Sequence, residues 1–195
     1  MIDQNQTDSK FSQFLQEYRQ EIKFVLIFSI GLVLIFNIIY TDWMAEHVTR
    51  PITKAETVVA SKILSVIGYD NYQHGLHIEG RNGNAFRMQV LNTCNGLFES
   101  AIFLLAFVAI QIPWRRKIPW MIGGFVFFHM VNEARLVSLF IVGSEYSHKT
   151  FVFFHETFWN FAIVLVALGT FIFCAYQVSK SPGVIESDKE GAETP

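Results

Sequence analysis

The stretch FVLIFSIGLVLIFNIIY, Phe24 to Tyr40, carries no charge and a single asparagine. A run of this length is what a helix needs to cross a bilayer, whose hydrocarbon core of about 30 Å takes roughly 17 to 25 helical residues. Phe158 to Val178, FWNFAIVLVALGTFIFCAYQV, is likewise uncharged. Between them lie two more apolar runs, Gly96 to Pro113 with one glutamate and Ile118 to Gly143 interrupted by polar residues. Together they predict an all-α integral membrane bundle of about four transmembrane helices, with the lipid bilayer as its first partner. The first run exceeds the roughly 7 to 15 apolar residues of a signal peptide, and no small-residue cleavage site follows it. It is expected to stay in the mature chain.

Charge orients the spans. The densest basic cluster, WRRK at Trp114 to Lys117, falls in a short turn between the second and third runs. Short loops are where the positive-inside rule holds best, so this turn is expected in the cytoplasm. Counting outward gives a cytoplasmic segment of residues 1–23, a transmembrane domain of 24–178 with an outer insert at 41–93, and a cytoplasmic tail of 179–195. The tail is polar, without aromatic residues after Ser179, and reads as a disordered end. With 15 basic and 17 acidic residues the net charge of −2 mixes both signs, and nothing points to a nucleic-acid partner. Two cysteines set no disulfide framework.

The outer insert has a pattern of its own. TKAE, Thr53 to Glu56, reads as a capping box that opens a helix, with threonine and glutamate satisfying its free amides. Val59, Ile63, Val66 and Ile67 then recur at helical spacing and Gly68 closes the pattern, giving a short amphipathic helix against the membrane or the bundle. Leu76 and Ile78, then Phe86, Met88 and Val90, alternate on either side of the Asn82-Gly83 turn signal. They predict an extracytoplasmic β-hairpin whose second strand leads to Cys94.

Ionisable groups at bilayer depth are expensive and face a protein interior or a water-filled cavity. FFHMVNEARLVSLF holds His129, Asn132, Glu133 and Arg135 in or beside the third run. Arg135 is expected about 25 Å along that helix, near the outer surface, with Asn132 one turn below on nearly the same face. Cys94 opens the second run in LNTCNG, and His155 opens the last in FVFFHETFWN. Cysteine, arginine and histidine thus converge at one membrane surface from three elements. Acyl transfer uses such a set: a thiolate nucleophile, a cation that stabilises negative charge, and an imidazole that moves the proton. Singly, each has a plainer reading. Cys94 fits as a small packed residue, Arg135 as a side chain snorkelling to headgroups, and His155 as an interfacial anchor. Glu133 fits as a partner for an arginine and Glu156 as a helix N-terminal charge. Cys174 reads as packing deep in the last run; His47, His74, His77 and His148 lie in outer loops, where His74-x-x-His77 is a weak metal signal without further ligands.

The ordered set CNG (Cys94 to Gly96), NEAR (Asn132 to Arg135) and HETFWN (His155 to Asn160) resembles the exosortase and archaeosortase family. The likeness runs from about Gly68 to Val178, and the compact subgroup called exosortase H is the most similar. The resemblance implies a multi-pass cysteine peptidase or transpeptidase in the inner membrane of a Gram-negative bacterium, with its active site facing the periplasm. Its implied partners are secreted proteins that end in a sorting tail: a short motif, of the IPTLxxWG type for that subgroup, one transmembrane helix and a basic cluster. By position Cys94 would be the nucleophile, Arg135 the electrostatic stabiliser, His155 the general acid and base, and Asn132 an orienting group for Arg135. Asn95 departs from the serine usual after the family cysteine. No organic cofactor or metal is implied.

Two rival readings remain open at this stage. His129 and Glu133, at i and i+4, could join His155 and Glu156 in a membrane metallopeptidase site. A bundle that only scaffolds other membrane proteins would use none of these residues chemically.

Overall fold

A computed structural model describes residues 16–81 and 85–180. Helix α1 spans Arg19–Ile39. After Tyr40 the chain turns into a short helical stretch, Asp42–Met44, a π-helical turn, Ala45–Thr49, and α2, Arg50–Val66, without a break. Strands β1 (Asn71–His74), β2 (His77–Gly80) and β3 (Arg87–Gln89) follow. A 3-10 turn at Asn92–Cys94 then leads into α3, Leu97–Ala109. Helix α4 spans Trp114–Glu145; a second α-plus-π entry, His148–Val152 and Phe153–Phe158, runs into α5, Trp159–Lys180. The predicted turn at Asn82-Gly83, the tail from Ser181 onward that was expected to be disordered, and the chain before Gln16 lie outside the described residues.

Among the described residues three helical segments are long and apolar enough to cross a membrane: Arg19–Ile39, Trp114–Glu145 and His148–Val178. The expected fourth, α3, has 13 residues and reaches only about 20 Å at 1.5 Å rise per residue, short of the hydrocarbon thickness. It stops at Ile110, which turns extended (φ −66, ψ 134); Ile112, directly before Pro113, is itself disfavoured in the helical region, so the helix does not resume before α4. WRRK is therefore not a turn. It is the first turn of α4, and the buried Lys117 folds back so that Nζ donates to the Val108 and Ile110 carbonyls at 3.3 and 2.5 Å. A cation on the free carbonyls at a helix C-terminus satisfies acceptors that a hydrocarbon environment would leave bare.

The outer insert differs from its sequence reading in where its helix starts. Its helix begins at Thr41, whose hydroxyl accepts from the Met44 N–H at 3.3 Å, and not at the expected capping box. Thr53 and Glu56 lie inside the helix and are buried. The inward face is Thr49, Thr53, Glu56, Thr57, Ala60 and Leu64, while Val59, Val66 and Ile67 are exposed. In a membrane protein the polar stripe turns inward, toward other polar groups, because lipid accepts apolar side chains. Gly68 does end the helix, at φ 94, with a Schellman pair: Tyr69 N–H to Leu64 O at 2.9 Å and Gly68 N–H to Ser65 O at 3.2 Å.

The sheet is antiparallel in the order β1-β2-β3. Ile78 opposes Met88, so the two alternating stretches do pair. An unexpected first strand, β1, closes on β2 through the two-residue Gly75-Leu76 loop, with Gly75 at φ 60. Ile78, Met88 and Val90 pack on Ala60 and Leu64 of α2 and on Leu136, Leu139 and Phe140 of α4. A second core, Phe103 and Phe107 of α3, Phe128 of α4 and Cys174 and Val178 of α5, ties the helices together farther along. Helix α1 buries none of its residues and meets the rest through α3, with Phe36 edge-on to Phe98 at 4.8 Å.

Candidate active site

Cys94 ends the 3-10 turn that joins the sheet to α3. Its two flanking asparagines hold this turn on α2. Asn95 Nδ2 donates to Thr53 Oγ1 at 3.0 Å and to the Thr49 carbonyl at 3.3 Å, and Thr53 Oγ1 donates to Asn92 Oδ1 at 3.1 Å. Asn95 is 2% exposed. An amide reaches across to α2 here where the shorter serine hydroxyl, usual at this place in the exosortase resemblance, has less reach and one donor.

Gly96 sits in the left-handed region at φ 66 and is buried against α4, where a Cβ would stand 3.1 Å from Asn132 Cβ. Gly96→Ala is expected to cost about 1–2 kcal/mol from the backbone alone and to push Asn132 outward. Thermal unfolding in detergent should show the loss, and a melting temperature equal to that of the unsubstituted chain would refute the account.

Three side chains meet at the sulfur. Arg135 Nη2 lies 3.7 Å from Cys94 Sγ and His155 Nε2 lies 4.0 Å from it. Thr93 Oγ1 is 4.0 Å away. Arg135 is 4% exposed, and among the described residues no carboxylate forms an ion pair with it. Its carbonyl accepts from Ser138 Oγ at 2.9 Å, and that hydroxyl accepts from Trp159 Nε1 at 2.9 Å, so the α5 entry is bonded to the Arg135 turn.

His155 is not at a helix start. Ser147 caps the α5 entry by accepting from the Thr150 N–H at 3.3 Å, and His155 lies about two turns farther in, within the π-helical turn. A π turn adds a residue to the turn and re-aims side chains, and such turns recur at functional sites. The imidazole is stacked on Phe151, centroids 5.8 Å apart and 9° between planes. Arg135 likewise lies nearly three turns before the end of α4 at Glu145. Both residues therefore sit deeper along their helices than the apolar runs suggested, yet at a shared level.

Asn132, one turn before Arg135, is 2% exposed and donates through Nδ2 to Glu56 Oε2 at 3.0 Å. The other oxygen, Glu56 Oε1, meets His129 Nδ1 at 2.6 Å. Glu56 had been assigned to a helix cap, so the sequence reading missed it. A signal was available: Thr49, Thr53, Glu56 and Thr57 share one helical face.

The four side chains of the metallopeptidase reading are not gathered. His129 is engaged by Glu56, His155 faces Cys94 and Glu156 is exposed. Among the described residues no three His, Cys, Asp or Glu side chains are arranged to hold a metal ion. His74 and His77 are paired across the β1–β2 hairpin, with no third metal-ligating side chain beside them among the described residues. Beside the Cys94 turn a cleft of about 270 Å³ opens between α1, the α2 entry and α3, with Tyr40, Thr49, Asn92, Thr93 and Phe98 among its walls.

The sequence model of one protein family, described as transmembrane exosortase, matches residues 20–173. No curated protein and no solved structure matches the chain.

Proposed function

Since this chain belongs to the transmembrane exosortase family, we propose that it is a membrane-embedded cysteine peptidase or transpeptidase that cuts the C-terminal sorting tails of secreted proteins. The observation that supports this reading is the approach of Arg135 and His155 to Cys94 Sγ, at 3.7 and 4.0 Å, from two different helical segments. His155 Nε2 takes the thiol proton as Sγ attacks the carbonyl carbon of the scissile bond. The oxygen of that carbonyl becomes negative beside the Arg135 guanidinium, whose charge is permanent and whose N–H groups are planar donors. His155 returns the proton to the leaving amine, which departs as the tetrahedral carbon collapses to a thioester on Cys94. Water, or an amine in the transpeptidase case, then attacks the thioester with His155 again as base.

The substrate class fits the setting. A tail with its own transmembrane helix arrives confined to the membrane plane and fixed in depth, so much of the orientational entropy is removed before the site is reached. The cleft lined by Asn92, Thr93 and Asn95, beside the turn that carries Cys94, has room for an extended segment. The compact exosortase H subgroup, with tails of the IPTLxxWG type, is the assignment we favour. For orientation, Arg115 stays exposed at the start of α4 while Lys117 is buried. The positive-inside argument then rests on the two arginines, and it puts the Cys94 end in the periplasm of a bacterial inner membrane.

The test is size analysis of a reporter bearing such a tail, incubated with the full chain carrying Cys174→Ala. We expect the reporter to shorten, a maleimide to stop the reaction, and a chelator to leave it unchanged. His155→Ala should slow it by about 10² to 10⁴, the range of a lost general acid and base. A reaction that survives the maleimide and stops with the chelator would overturn the cysteine reading in favour of the metallopeptidase.

A further inference from the structure

We propose that Glu56 is a positioning residue, its carboxylate fixing the turn of α4 that presents Arg135 to Cys94. The inference rests on the reading of Cys94 and Arg135 as the reacting pair.

One helix holds both sides of the site. Thr49, at the end of the π-helical turn that runs into α2, and Thr53 of α2 bind the asparagines that flank Cys94. Glu56, on the same face, binds His129 and Asn132 of α4 through its two oxygens. The nucleophile turn and the arginine turn are thus referenced to a single rigid element across two turns of α2. Asn132 also abuts Gly96, so a shift of Asn132 is a shift against the CNG turn.

Arg135 has little else to hold it. Among the described residues its Nε has no hydrogen-bond partner and no carboxylate pairs with it. The side chain stands where the backbone of α4 puts it, and that backbone is pinned by Asn132 three residues earlier. Glu56 is costly to keep there: it is 5% exposed, and burial pushes its carboxyl above the ordinary carboxylate range against the pull of His129 and Asn132. A buried carboxyl bonded at both oxygens in this way favours one arrangement of the helices that supply its partners.

The test uses the full chain with Cys174→Ala in liposomes and reads the charge beside the sulfur without any substrate. Cys94 is modified by an anionic methanethiosulfonate and, separately, by a neutral one, and the ratio of the two rates is taken. Arg135→Gln should lower this ratio about tenfold, the low end of what a local charge does to the arrival of an opposite one. Glu56→Leu should lower it by about threefold or more as Arg135 leaves the sulfur, and Glu56→Gln should restore it. Mere loss of a negative charge would raise the ratio, so the sign separates displacement from simple electrostatics.

Tail cleavage gives the second readout. Glu56→Leu should lower kcat about 10²-fold, as for an ångström of misplacement, with KM within about twofold, and Glu56→Gln should recover most of the loss. A ratio unchanged or raised in Glu56→Leu overturns the proposal. A lowered ratio in a chain that cuts no tail upholds the positioning and overturns the peptidase reading instead. Should Glu56→Leu fail to accumulate, Asn132→Ala carries the test, since it leaves the Glu56 and His129 pair in place; the same fall is expected, and an unchanged ratio refutes the link.

Discussion

Cys94→Ala is expected to leave a tail-bearing reporter at full length while the protein accumulates in the membrane as before. The loss should exceed about 10³-fold, because no other atom at that position can form the thioester. Stability should hardly change. The substitution removes one half-buried thiol, and the turn around it is fixed by Asn92 and Asn95 on Thr49 and Thr53, not by the sulfur. Cys94→Ser should be nearly as inactive, since a hydroxyl is a far weaker nucleophile without a strong base. Blotting of the reporter, with a melting curve of each variant in detergent, separates loss of chemistry from loss of fold. Equal shortening by Cys94→Ala would reduce Cys94 to packing at the entrance of α3 and end the cysteine mechanism.

Arg135→Gln should lower kcat about 10² to 10³-fold, the scale of a removed oxyanion donor. It should at the same time leave the melting temperature unchanged or raise it. This opposite sign follows from burial without an ion-pair partner among the described residues: Arg135 is 4% exposed and faces a sulfur, not a carboxylate. Replacing a buried charge that lacks a counter-ion removes a desolvation penalty, so an arginine kept there is kept at a cost in stability. Arg135→Lys should recover part of the activity, because it returns the charge but not the planar fork of donors. A snorkelling arginine behaves differently. It would tolerate Lys fully, and Gln would alter stability without altering turnover. Single-turnover cleavage rates of the three forms decide between the two.

How much could be read from the chain depended on whether a feature is local. The uncharged run Phe24 to Tyr40 announced a span because length and hydropathy need no partner to be interpreted, and α1 covers Arg19–Ile39. Gly68 announced a helix end for the same reason, since a left-handed residue is a property of its own backbone. Family membership was legible in CNG, NEAR and HETFWN, which are short and ordered. The length of α3 was harder. Gly96 to Pro113 is apolar throughout, and only the extended Ile110 shows where the helix stops. The helical start of the last span was obscured in the same way, because the cap at Ser147 lies before the uncharged run begins.

By itself, then, the sequence determined that this is a helical membrane protein of the exosortase family, and it supplied the residue types able to carry acyl transfer. Only the tertiary structure decided which face of α2 turns inward, that Glu56 serves α4 and not its own helix start, and that Arg135 and His155 reach the same sulfur. The physical reason is the pairing of polar groups. Whether threonine and glutamate cap a helix or bind a distant asparagine and histidine depends on which donors lie within about 3 Å. Those donors come from residues 42 to 76 positions away along the chain.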